Sequence, residues 1–194
     1  MKIFKASFAI VVLMLLCSIN ADAKNIFRHY DMSMGLSQNT VFAIAQDHTG
    51  FMWFGTKNGL NRFDSYSFRT YFEGKDEHSL KSDYINALCE GPDNRLWVGT
   101  DKGLFIYNPI LDAFETLDKK TKEGKSIKGN INIIATVGNY IYINTQSQGI
   151  FRYDTKSKTL IYKDLGKYMA VTSITPDSKQ QPMDRFLRIW IIYR

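Results

Sequence analysis

Gly50–Asp64 reads GFMWFGTKNGLNRFD, and Arg95–Asn108 reads RLWVGTDKGLFIYN: the second stretch is the first returning. Trp53 to Trp97, Gly55 to Gly99 and Gly59 to Gly103 are each 44 residues apart. A looser third copy is Tyr140–Asp154, YIYINTQSQGIFRYD, with Tyr142 in the tryptophan slot, Asn144 in the first glycine slot and one residue inserted before Gly149. A period in the mid-forties belongs to repeat architectures, in which one supersecondary unit stacks on the next.

Each copy has the grammar of a hairpin. Two short aromatic and β-branched runs, such as LWVGT and GLFIYN, flank a polar connection that ends in Gly. Glycine supplies the positive φ that a tight turn requires. Upstream of each hairpin lies a further apolar run: Val41–Gln46, Tyr84–Cys89 and Ile131–Val137. Downstream lies a shorter fourth: Phe68–Phe72, Phe114–Leu117 and Thr159–Tyr162. Four strands in a unit of this length make a β-propeller blade. The chain is therefore predicted to be all-β, a partial, open propeller of three to four four-stranded blades over 24–174. The blades span about 36–72, 80–117 and 127–163, with an incomplete fourth from 168. Trp53, Gly55, Gly59, Trp97, Gly99, Gly103, Tyr142 and Gly149 are its structural repeat positions.

Before the first blade, Lys2 and Lys5 precede the apolar run Phe8–Leu16, and Ala21-Asp22-Ala23 offers a small-residue cleavage site. Residues 1–23 read as a secretory signal peptide, which sends the mature chain out of the cytoplasm into an oxidising compartment. The run is short for a bilayer span, and Leu15-Leu16 before Cys17 argues against lipid attachment there. No membrane span is expected in the mature chain. Cleavage leaves Cys89 as the sole thiol, so no internal disulfide is possible, and its alternation with apolar neighbours reads as a buried small hydrophobe. Asn25–Asp31 (NIFRHYD) mirrors Phe68–Tyr71 and is predicted to be the outer strand of a ring-closing blade. At the other end the repeat grammar fades. Residues 175–194 are predicted to be an irregular or aberrant tail, although Asp184 to Trp190 repeats the step from Asp47 to Trp53 and leaves a damaged second strand open. The chain reads as a truncated or frame-shifted product. An open ring leaves blade faces wet, and several hundred Å² at roughly 25 cal/mol per Å² forgoes on the order of 10 kcal/mol, so such a piece is expected to be marginal or sticky.

The chain carries a formal net charge of +6 with no basic block. That pattern speaks for a solvated surface and against a nucleic-acid partner. His29, His48 and His78 are scattered, none at metal-ligand spacing, so no metal and no cofactor is expected. No nucleophile elbow or phosphate loop occurs, and no catalytic residue is assigned. Asp47–Trp53 brushes against the sialidase Asp-box, but two residues rather than one separate Asp47 from Gly50, so the likeness reduces to a turn and a core tryptophan. If a ligand site exists, topology limits where. In an antiparallel blade, the loop entering the first strand and the loop joining the second to the third emerge on one face. That face gathers Ser37, Gln38, Asn39, Lys57 and Asn58; then Ser82, Asp83, Asp101 and Lys102; then Gly129, Asn130, Gln146, Ser147 and Gln148. Amides, hydroxyls and a few charges suit hydrogen bonding to an oligosaccharide.

Trp53-Phe54-Gly55-Thr56 with Gly59–Asp64, and Leu96–Thr100 with Gly103-Leu104, resemble the two-component-regulator propeller repeat. The opening Phe27…Tyr30…Gly35-Leu36-Ser37 is similar to the start of that family's sensor region. The resemblance covers about 26–163 and is strongest over the first two blades. It implies the periplasmic sensor half of a hybrid histidine kinase that controls polysaccharide use, in a much longer parent carrying a kinase, a receiver and a DNA-binding output. None of those later parts has a counterpart here: no phosphoacceptor histidine context and no ATP-binding glycine box occurs. The reading is a non-enzymatic ligand-sensing module whose partners are an oligosaccharide and the remainder of the sensor propeller. The alternatives are a piece of a secreted propeller-type glycan hydrolase or lyase, or a truncated product without function.

Overall fold

A computed structural model describes residues 27–164, 169–176 and 187–193. The proposed signal peptide lies outside them. The first sheet is a meander of β1 (Val41–Gln46), β2 (Met52–Thr56), β3 (Gly59–Phe63) and β4 (Phe68–Tyr71). The second is β5 (Ile85–Glu90), β6 (Leu96–Thr100), β7 (Leu104–Asn108) and β8 (Ala113–Thr116). The third is β9 (Ile131–Val137), β10 (Tyr140–Thr145), β11 (Gly149–Asp154) and β12 (Thr159–Lys163). Every neighbouring pair is antiparallel. The first strands of successive sheets lie against one another, β1 on β5, β5 on β9 and β9 on β13 (Met169–Pro176), so the sheets radiate from a shared inner edge as propeller blades do.

The core is therefore three layers between sheets. Trp53 and Leu60 of the first sheet pack with Ile85, Leu96, Val98, Phe105 and Phe114 of the second. Trp97 and Ile106 meet Ile131, Ile141, Phe151 and Tyr153 of the third. Tyr142 and Ile150 meet Val171 and Ile174 of β13. Both indoles are fully buried, which makes them packing residues.

Glycine in the Trp-x-Gly-Thr run has a steric cause. A Cβ on Gly55 would lie 2.7 Å from Ile85 Cγ2, and one on Gly99 would lie 2.7 Å from Ile131 Cγ2. The bare backbone is what lets the next inner strand approach. At Gly59 and Gly149 the reason differs: φ is +106° and +105°, and a Cβ would meet the Tyr71 and Lys163 carbonyls at 2.8 Å.

One segment departs from expectation, and a second follows one of the two courses left open for it. Phe27–Tyr30 forms no strand, and Asp31 instead caps a single 3-10 turn at Met32–Met34. An outer strand exists only when a neighbour's backbone lies beside it, and among the described residues none does; Tyr30 packs edge-on against Phe63 and Phe68 at 4.8 and 5.9 Å. In the stretch 175–194, β13 runs on to Pro176 and β14 (Leu187–Tyr193) pairs with it antiparallel, where the Asp184–Trp190 spacing left a damaged second strand open beside the irregular tail; 177–186 lie outside the described residues. The run RIWIIY is rich in the β-branched and aromatic residues that strands favour, and it finds a partner in β13 despite lacking the Gly-Thr signal.

Candidate functional site

The turn joining the second and third strands of each sheet is pinned by the threonine that ends the second strand. Thr100 Oγ1 donates to the Gly103 carbonyl at 2.9 Å and accepts from the Lys102 and Gly103 amides at 3.1 and 3.0 Å. Thr56 does the same with Gly59 and Asn58, both at 3.0 Å. Thr145 does it with Gly149 at 3.2 Å and Gln148 at 3.0 Å. These buried hydroxyls went unnoticed in the sequence reading, although the recurring Thr after Gly was the signal that could have found them.

Each pinned turn is tied to the loop that enters the first strand of its own sheet, which puts both on one face. In the first sheet the Lys57 amide donates to Gln38 Oε1 at 3.2 Å, and Asn58 Nδ2 to the Ser37 carbonyl at 3.4 Å. In the second, Ser82 Oγ donates to Asp101. In the third, Asn130 Nδ2 donates to Gln146 Oε1 at 3.0 Å, while Gln148 holds Ser126 and Lys128. The loops also connect across sheets: Gly59 donates its amide to the Asp83 carbonyl, and Asn86 Nδ2 donates to Asn130 Oδ1, both at 2.8 Å.

Much of the polar inventory on this face is spent on holding the loops. Ser37 is bound to buried Asn61 by its amide and its hydroxyl. Asn39 accepts from the Met32 amide, and Asp83 accepts from the Glu73 amide. Lys102 meets both Glu73 oxygens at 2.9 Å, and that carboxylate raises its pKa. Lys57 differs. Its ammonium sits 5.5 Å from the ring centroids of both Phe42 and Tyr84, which stack on each other at 5.5 Å and 18°. These two rings were not among the sequence candidates, because each lay in or beside an apolar run that read as core.

A backbone irregularity recurs where the aromatic pair begins. Pairing skips one residue at Phe42 in β1, at Asn86 in β5 and at Asn132 in β9. A bulge re-aims the side chain it carries. Its repetition puts Phe42, Asn86 and Asn132 at equivalent places on the inner strands, beside the loop face.

The opposite face holds the structural staples. Asp47 accepts from the Thr49 and Phe51 amides at 3.0 Å and from Trp53 Nε1 at 2.7 Å. Partial burial raises its pKa, but these donors outweigh that and hold it below the ordinary value. Asp93 repeats the arrangement more loosely, with Trp97 Nε1 at 3.5 Å. Nearby, Tyr71 and Tyr107 hydroxyls both donate to Asp112 Oδ1 at 2.7 Å, Arg69 pairs with Asp112, and Arg62 donates to Tyr107 at 3.1 Å. Burial opposes ionisation of Asp112, yet the two hydroxyls and the guanidinium charges win and lower its pKa. A cleft of about 140 Å³ between the first two sheets is lined by Asp47, Trp53, Arg62 and Tyr107, and a peripheral one of about 460 Å³ by Lys120, Lys122 and Lys158. Neither is lined by a loop-face candidate. Cys89 Sγ lies 3.0 Å from Thr136 Oγ1 between β5 and β9, and burial raises its pKa, as suits a packing thiol. Among the described residues no group of three or more His, Cys, Asp or Glu is placed to hold a metal, and no helix is long and apolar enough to cross a membrane.

Comparison with known proteins places this geometry. The two component regulator propeller family matches residues 35–58 and 79–102, each stretch running from an entering loop through a pinned turn. A curated relative, histidine kinase P4 of Formosa agariphila, is 39% identical over 64 residues, which are 31% of this chain and 5% of that protein. The extracellular domain of a hybrid two component system from B. thetaiotaomicron superposes with a TM-score of 0.67 at 24% identity, over 76% of this chain and 22% of that one. A second such domain from the same organism gives 0.66 at 20% identity, over 88% and 25%. Those two likenesses are of fold, and the chain spans a quarter or less of each of these relatives.

Proposed function

We propose, on the premise that this chain carries two-component regulator propeller repeats, that it is the N-terminal part of a periplasmic sensor propeller whose loop face captures an oligosaccharide. The kinase belongs to the parent polypeptide, and the captured ligand biases how the sensor parts pack and so the activity of that kinase. The observation that carries the reading is the gathering of entering loops and pinned turns from three sheets on one face, with Lys57, Asn130 and Gln146 among them. The names of the relatives support it: they are a histidine kinase and extracellular domains of hybrid two component systems. Export behind residues 1–23 and a role in polysaccharide use are parts of the same proposal.

Titration calorimetry of the purified chain against neutral and acidic oligosaccharides tests it. Saturable binding that leaves the oligosaccharide uncleaved, as read by chromatography, is the expected result. Cleavage of the glycan without added enzyme moves the assignment to a propeller hydrolase or lyase, and absence of binding across the panel overturns it. The Asp-box alternative receives no support from Asp47, whose carboxylate is engaged by its own turn and by Trp53.

A further inference from the structure

We propose that Phe42, Tyr84 and Lys57 form a subsite for an acidic sugar, a hexuronate residue of the captured oligosaccharide; this rests on the sensing role proposed above. Phe42 begins from an oddity. It occupies the bulged inner-strand position where the second and third repeats carry Asn86 and Asn132, and 43% of its surface is exposed. A single exposed ring is common on a protein surface, and what marks this one is the second ring beside it. Tyr84, at the entrance to β5, stacks on it, so the pair presents a rigid aromatic step rather than a lone exposed ring.

Lys57 supplies the charge. Its ammonium stands over both rings, and among the described residues it pairs with no carboxylate, whereas Lys102 on the same face is matched by Glu73. A cation held beside an aromatic surface without a counter-ion attracts an anion there. A pyranose ring lays its C–H face on an aromatic ring, and a carboxylate at C5 extends from the edge of the same sugar. Neutral sugars would use the step but leave the ammonium unmatched. The adjoining amide row, Asn86 to Asn130 to Gln146, offers donors and acceptors for the hydroxyls of the next sugar.

The test is calorimetry of the full chain with tetramers of galacturonate, glucuronate and mannuronate, with their methyl esters, and with neutral cello-, xylo- and manno-oligosaccharides. At least one acid tetramer binds about tenfold or more tightly than its ester. Lys57→Gln brings the acid down to its ester and leaves the ester unchanged, and Phe42→Ala weakens both. Unchanged melting temperature and tryptophan spectrum show that the variants are folded. Equal binding of acid and ester, retention of the preference in Lys57→Gln, or binding confined to neutral sugars overturns the acidic subsite and leaves the sensing role intact. If no oligosaccharide of either class binds, both fall.

Discussion

A single buried hydroxyl braces each pinned turn beside the backbone pairing that closes it. Thr100 is fully buried and makes three hydrogen bonds within four residues, one as donor and two as acceptor. Valine has nearly the same shape but leaves the Lys102 and Gly103 amides and the Gly103 carbonyl without that partner. Thr100→Val is expected to lower stability by about 1–3 kcal/mol, read as a shifted urea midpoint with an unchanged slope. Asp112 makes a prediction about acid. Its folded pKa lies below the ordinary 3.8, because two tyrosine hydroxyls and nearby arginines favour the carboxylate over the opposing effect of burial. A depressed folded pKa means that the stabilisation is complete above the unfolded value of about 3.9 and is lost as pH falls through the folded one. Asp112→Asn should therefore be less stable than the parent at neutral pH, with a gap that narrows below about pH 4. Urea titrations at pH 7, 5 and 3 read this directly, and a gap that stays constant with pH would remove Asp112 from the acid response.

At the scale of the element, one strand position behaves differently in each sheet because of what lies beside it. Ile44 in β1, Leu88 in β5 and Ile134 in β9 pair with Phe54, Val98 and Ile143 at the same register. Leu88 and Ile134 pack against the preceding sheet, and Ile134 is only 8% exposed; Ile44 has no preceding sheet among the described residues and is 59% exposed. Ile44→Lys is thus expected to change stability by less than about 0.5 kcal/mol, whereas Ile134→Lys unfolds the third sheet. Thermal melts of the two variants side by side check this, and an equal effect would mean that Ile44 is covered in solution. Strands of this kind were legible in the sequence, because Gly103, Thr100 and the alternating runs punctuate them with residues whose chemistry is local. Phe42 and Tyr84 were not. They stood in and beside the apolar runs Val41–Gln46 and Tyr84–Cys89, which read as core, whereas Phe42, Ile44 and Gln46 alternate on the exposed side of β1. β14 was half legible: the Asp184–Trp190 spacing left a second strand open, but its pairing is set by its neighbour β13 and by no turn residue of its own. Composition alone misplaced Phe27–Tyr30, where the strand-like residues are real and the partner edge is lacking among the described residues.

For the molecule as a whole, stability is a sum over layers between adjacent sheets, since the buried side chains form three separate clusters rather than one centre. In such a stack each unit is supported by its immediate neighbours, and a fault at one layer is felt mainly there. Gly99 is the place to introduce one. It lies where β6 meets the inner strand of the third sheet, and a Cβ there would stand 2.7 Å from Ile131 Cγ2 and 3.2 Å from Ala87 Cβ. Ile131 is itself fully buried, so it has no room to retreat without moving β9. Gly99→Val should cost about 1–3 kcal/mol by overpacking, and the loss should be uneven. Amide hydrogen exchange is expected to quicken across β9, β10 and β11, while β2, β3 and β6, joined through Trp53, Leu96 and Val98, keep their protection. A uniform rise in exchange over all three sheets would mean that the described chain unfolds as one cooperative unit, and the layer-by-layer account of its stability would have to be given up.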